Sequence, residues 1–85
     1  MDNNTLHLTI ISREKTVFDN DVISVTSYND TGIFDILPFH ANFISVLRNK
    51  IHIQTLSGVS QEFFVDHAVL RVKENMVQVF LGTGM

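Results

Sequence analysis

Four histidines (His7, His40, His52 and His67), nine carboxylates and six serines (Ser12, Ser24, Ser27, Ser45, Ser57 and Ser60) are the side chains able to do chemistry in this 85-residue chain. A metal centre needs histidines and carboxylates at ligand spacing, such as two histidines four apart on one helix face. None of the four histidines has such a neighbour. His7 and His52 stand at strand positions flanked by apolar residues, which makes them outward polar positions. His67 follows Asp66 directly, and the two could form a charge-assisted pair near the join between two strands. Covalent catalysis needs a Ser or Cys with a base and an orienting acid in reach, yet no serine sits in a glycine-framed elbow. Gly32 and Gly58 are isolated turn glycines and form no phosphate-binding loop. The residues therefore predict no catalytic centre, no cofactor and no metal.

Composition bounds the class. A chain of 85 residues makes one domain, with its core expected over about 5–82,. The hydrophobic share of 45% supports a packed core and excludes disorder,. There is no cysteine, so neither a disulfide nor a thiolate metal site staples the fold, which fits a reducing compartment,. The net charge is −3 and the six basic residues are scattered, which gives no footprint for nucleic acid,. Apolar runs fall far short of the roughly 20 residues that span a bilayer. The N-terminal Met-Asp-Asn-Asn-Thr lacks the basic and apolar regions of a signal peptide, so none is expected,.

Alternation of apolar and polar residues predicts β-strands nearly throughout. The first runs from Leu6 to Ile11, and a short second covers Thr16 to Phe18. Asp19-Asn20-Asp21 reads as a tight turn, because Asn and Asp bond locally and tolerate left-handed backbone. Val22 to Tyr28 follows, with Ile23, Val25 and Ser27 on one side. Ala41 to Leu47 fits a short extended segment or one helical turn, and the extended reading is preferred. Arg48-Asn49-Lys50 reads as a turn, followed by a strand at Ile51 to Thr55. Ser57-Gly58 closes a hairpin onto Gln61 to Asp66, where Phe63 and Val65 face one way and Phe64 the other. Glu74-Asn75 joins the strand at Ala68 to Lys73 to the last one, Met76 to Leu81. The tail from Gly82 to Met85 reads as flexible. Seven to nine short strands with regular turns predict an all-β sandwich or flattened barrel.

One stretch breaks the alternation. Gly32-Ile33-Phe34-Asp35-Ile36-Leu37-Pro38-Phe39-His40 holds the only proline and more large apolar groups than one loop easily buries. Phe34, Ile36 and Leu37 are expected in the core. Ile33 and Phe39 divide evenly between plugging the open end of the sandwich and facing a partner. Burying one such side chain is worth about 1.5–3 kcal/mol, so exposing several would cost a small domain heavily.

That stretch also carries a resemblance. The pattern Gly32-x-Phe34-x-Ile36-Leu37-Pro38-x-His40-Ala41, preceded by Ser12, Glu14 and Val17-Phe18, is similar to the N-terminal β-sandwich of the ε subunit of rotary ATP synthases. Phe64-Val65, Val69-Leu70-Arg71-Val72 and Asn75-x-Val77-x-Val79 extend the likeness over almost the whole chain. The resemblance implies two packed antiparallel sheets of about ten short strands, without the C-terminal helical hairpin that follows in the family. It implies a non-catalytic rotor subunit on the cytoplasmic face of the bacterial inner membrane, joining the γ subunit to the polar loops of the c-ring. By position, Thr31, Gly32 and Ile33 would face the c-ring, and Ser12, Phe39, His40, Asn42 and Ser45 would face γ. Family members commonly carry a polar or acidic residue at Ile33 and a small or polar one at Phe39, so this chain departs there. The alternative is a free-standing β-sandwich binding module with a pocket lined by Tyr28, Phe39 and His40.

Overall fold

The computed structural model describes residues 4–82. The described residues form six strands: β1 (Leu6–Ile11), β2 (Thr16–Asn29), β3 (Gly32–Ile36), β4 (Phe43–Thr55), β5 (Ser60–Lys73) and β6 (Met76–Leu81). Their order is β1-β6-β5-β4-β2-β3, and a further pairing of β1 with β2 closes the sheet on itself. All pairings are antiparallel except β1 with β6, which is parallel.

The closed sheet is flattened into two walls because β2, β4 and β5 each run through both. One wall contains the first half of β2, then β1, β6, the second half of β5 and the first half of β4. The other contains β3, the second half of β2, the second half of β4 and the first half of β5. This all-β flattened sandwich agrees with the class read from the sequence. The number of strands differs, since three long strands each supply a segment to both walls.

Two of the expected turns are strand interior. Asp19, Asn20 and Asp21 lie opposite Thr9, Leu8 and His7 of β1, so Thr16–Phe18 and Val22–Tyr28 belong to one strand. Ladder pairing there outweighs the local turn preference of Asn and Asp. Arg48-Asn49-Lys50 likewise lies inside β4. Its register against β5 shifts between Leu47 and Asn49, so Asp66 and His67 together oppose Arg48. Asn49 takes a positive φ of 77°. A bulge of this kind bends a strand without ending it, and here it turns β4 and β5 from one wall to the other.

The bulges also reset which residues face inward. Val22 and Val25 are both buried although three apart, because an extra residue, Ile23, is inserted opposite β4 and left partly exposed. Val65 and Ala68 are related in the same way across the Asp66–His67 bulge. The buried core is aliphatic, with Leu6, Leu8, Ile10, Ile36, Leu47, Ile51, Ile53 and Leu70 fully enclosed, and Phe18, Phe34, Phe43 and Phe63 pack around it. Among the described residues Ser27 is the buried polar one, and its hydroxyl donates to the Lys50 carbonyl at 2.7 Å.

The hairpins expected at Ser57-Gly58 and Glu74-Asn75 are present. Gly58 has φ 89°, and Glu74 and Asn75 have φ 53° and 62°, the pair of positive values that a two-residue type I′ hairpin requires,. The segment from Phe43 is extended, as preferred from the sequence. Beyond Gly82, the tail read as flexible lies outside the described residues, as do the first three residues of the N-terminus.

Candidate contact surfaces

β2 and β3 meet in a hairpin whose tip is Asp30-Thr31-Gly32. Gly32 has φ 127°, which favours glycine,. Asn29 fixes the tip: its Oδ1 accepts from the Thr31 amide at 2.9 Å and from the Thr31 hydroxyl at 2.7 Å. Its Nδ2 donates to the Ser45 hydroxyl at 3.1 Å. Arg48 reaches the same tip, donating from Nε to Asp30 Oδ1 at 2.8 Å. Thr31 and Gly32 are exposed, and Ile33 is 64% exposed. Tip and β4 are therefore held together by two links, Asn29 to Ser45 and Arg48 to Asp30, and neither Asn29 nor Arg48 carries a motif signal.

The irregular stretch after β3 divides differently from expectation. Ile36 is fully buried and Phe34 packs on the core. Leu37 is 52% exposed, contrary to its expected place in the core, because it lies one residue past the end of β3 and opens a turn. The His40 amide donates to the Leu37 carbonyl at 3.1 Å and closes that turn. Phe39 is 71% exposed, while the His40 ring meets Phe43 edge-on with centroids 5.6 Å apart. Phe43 in turn packs against Phe34, their ring centroids 5.4 Å apart. Asn42 is exposed beside a shallow hollow of about 440 Å³ lined also by Phe43, Ile44, Arg71, Val72 and Lys73.

Ser12 directly follows β1, where its hydroxyl accepts from the amides of Glu14 and Lys15 at 3.3 and 3.2 Å. It lies roughly 16 Å along the strand from His7, the residue whose amide donates to the Asn75 carbonyl. Ser12 is thus at the far end of β1 from Phe39, which contacts the same Asn75. What connects the separated residues is a row that the sequence did not reveal. Val46, Val69, Phe80 and Ile11 lie side by side across β4, β5, β6 and β1. All four alternate with buried neighbours and point outward; Val46 is 50% exposed and the others are half-buried. The row begins next to Ser45 and ends next to Ser12. No signal in a single strand could have found it, because each strand contributes one residue.

The outer face of the other wall carries a polar row, next to which Ile33 and Phe64 stand exposed. Asp35, Thr26, His52 and Glu62 line up across β3, β2, β4 and β5. Thr26 donates to Asp35, and Glu62 contacts His52 at 3.1 Å and Lys50 at 3.4 Å. The hydrogen bond with His52 and the nearby Lys50 charge hold the Glu62 carboxyl below its ordinary range.

His7 faces outward between two carboxylates of β2. Its Nδ1 is 2.8 Å from Asp21 and its Nε2 is 2.6 Å from Asp19. Both bonds can be N–H donations only when the ring carries both protons, and these bonds, Asp21 first, raise its pKa above 6.5. Among the described residues, no group of three or more His, Asp or Glu is arranged to hold a metal ion. Tyr28 lies opposite Ile33 and Arg48, and four hollows on the described surface are lined by residues other than Tyr28, Phe39 and His40.

Comparison with known proteins gives a consistent answer. The family model for the ATP synthase delta/epsilon chain β-sandwich domain matches residues 5–83. The ATP synthase epsilon chain of Campylobacter fetus subsp. fetus is 32% identical over 79 residues, covering 92% of this chain and 61% of the relative. That of a Nitratiruptor species is 35% identical over 72 residues, covering 84% and 56%. The chain therefore spans less than two thirds of the length of either relative. A chain in the Euglena gracilis mitochondrial ATP synthase structure (OSCP/F1/c-ring) superimposes with a TM-score of 0.86 at 14% identity, covering 92% of this chain and 51% of that one. One from the central stalk/c-ring structure of the Tetrahymena thermophila enzyme gives 0.75 at 13%, covering 95% and 66%. At these identities the structural likeness speaks for the fold.

Proposed function

We propose that this chain, which belongs to the ATP synthase delta/epsilon-chain β-sandwich family, is a non-catalytic central-stalk subunit that joins γ to the c-ring. The relatives it resembles are named epsilon chains, and the structures that share its fold are of ATP synthase central-stalk and c-ring assemblies. In this role the chain transmits rotation and performs no chemistry of its own. It is peripheral to the membrane, held through the c-ring at the cytoplasmic face of the bacterial inner membrane.

The observation that carries the reading is the continuous outward row Val46, Val69, Phe80 and Ile11 across four strands of one wall. An apolar row bordered by polar positions suits a permanent protein partner. We assign that wall to γ, with Ser12 and Ser45 at its ends and Phe39, His40 and Asn42 along its margin. The β2–β3 tip, Thr31, Gly32 and Ile33, is assigned to the c-ring loops.

The test is assembly by variants that keep the isolated fold. Val46→Lys is expected to weaken binding of purified γ, and Ile33→Asp to weaken association with the c-ring, each with an unchanged melting temperature for the free chain. An Ile33→Asp chain that unfolds on its own would make Ile33 structural and remove it from the contact.

A further inference from the structure

We propose that Phe39 is a pre-formed aromatic anchor that inserts into an apolar socket on γ, an inference that rests on the reading of the chain as a γ-binding subunit. Leu37, Pro38, Phe39 and His40 form a four-residue turn closed by the His40 amide on the Leu37 carbonyl. Proline in the second position and a positive φ in the third are the marks of a type II turn, whose third position calls for Gly or Asn. Here a phenylalanine occupies it with φ 67°. A side chain with a Cβ is strained in that region, and the strain persists only where the surroundings hold it.

The surroundings do hold it. The Phe39 amide donates to Asn75 Oδ1 at 2.6 Å. Pro38 restricts the turn before it, and the His40 ring after it is seated on Phe43,. The ring so positioned makes little return inside the chain, since Phe39 is 71% exposed. A backbone clamped in a disfavoured conformation, presenting a bulky aromatic group to solvent, is the arrangement of an interface anchor whose ordering cost has been met in advance.

Its position and chemistry select the partner. Asn75 directly precedes Met76, the first residue of β6, and Met76, Gln78 and Phe80 face outward on the wall assigned to γ. Phe39 thus stands at the margin of that wall and extends it. An exposed phenyl ring suits an apolar socket better than a polar loop.

The experiment measures two quantities on the full 85-residue chain: thermal unfolding of the free protein, and affinity for purified γ of the same organism. Phe39→Gly and Phe39→Asn both suit the positive φ and both remove the ring. Each is expected to melt at or above the wild-type temperature while binding γ roughly tenfold to a hundredfold more weakly. Phe39→Tyr, which keeps the ring, is expected to bind within about threefold of wild type, since it preserves the apolar face. If Gly and Asn variants melt clearly below wild type, the ring serves the fold and the proposal is overturned. If they bind γ as tightly as wild type, the anchor is overturned while the stalk reading stands. If the wild-type chain does not bind γ, both fall together.

Discussion

The amide of Phe39 donates to the side-chain oxygen of Asn75 across 2.6 Å, tying the stretch after β3 to the hairpin that opens β6. The Asn75 carbonyl accepts from the His7 amide at 2.9 Å, so the same residue also joins β1. Asn75 itself has φ 62°. It is thus a backbone requirement and a side-chain clamp at once, and these two roles can be separated.

Asn75→Gly keeps the positive φ and removes the acceptor, whereas Asn75→Asp keeps the acceptor. The glycine variant is expected to lose about 1–2 kcal/mol in urea unfolding, from the lost bond and the added chain freedom. The aspartate variant is expected to lose less. Equal losses would mean that the side chain does not hold the Phe39 turn.

His7 makes stability depend on pH. Its folded pKa is raised by Asp21 first and Asp19 second, so its contribution is fully present below the unfolded value near 6.5 and fades as pH rises through the folded value. NMR titration is expected to place the His7 midpoint above 6.5, and Asp21→Asn to lower it more than Asp19→Asn. A His7→Gln chain is expected to lose the stability decline that wild type shows above pH 6.5. Because the three side chains are about half exposed, the effect is modest and shrinks with added salt.

Ser27 is 1% exposed and donates to the Lys50 carbonyl at 2.7 Å, where β4 passes its bulge. Ser27→Ala leaves that carbonyl without its partner and is expected to cost about 1–3 kcal/mol. The midpoint of urea unfolding should fall with little change in slope. A neutral result would show that the bulge supports itself.

Ile33, Val46 and Phe39 are at least half exposed, so charge or truncation at them should spare the fold. Thermal melts of the free variants check this directly. Any of the three that proves necessary for folding of the free chain leaves the contact surface.

The sequence by itself determined the class of fold, because the period-two alternation of Leu6 to Ile11, Ala68 to Lys73 and Met76 to Leu81 admits only half-buried strands. It also located the Gly58 and Glu74-Asn75 hairpins, where Gly58 and Asn75 suit positive φ,. The Gly32–His40 pattern, through its likeness to a known family, identified the contact residues to test. Only the tertiary structure decided that Asp19-Asn20-Asp21 and Arg48-Asn49-Lys50 are strand. Local preference for a turn is a matter of about a kilocalorie or less per residue, and pairing with β1 and β5 outweighs it. Only the folded sheet could assemble Val46, Val69, Phe80 and Ile11 into one row, since register between strands distant in sequence is set by the closed sheet. The exposure of Phe39 was undecided for the same reason. An apolar residue in an irregular stretch faces inward or outward according to what clamps its backbone, and here the clamp is Asn75, 36 residues away.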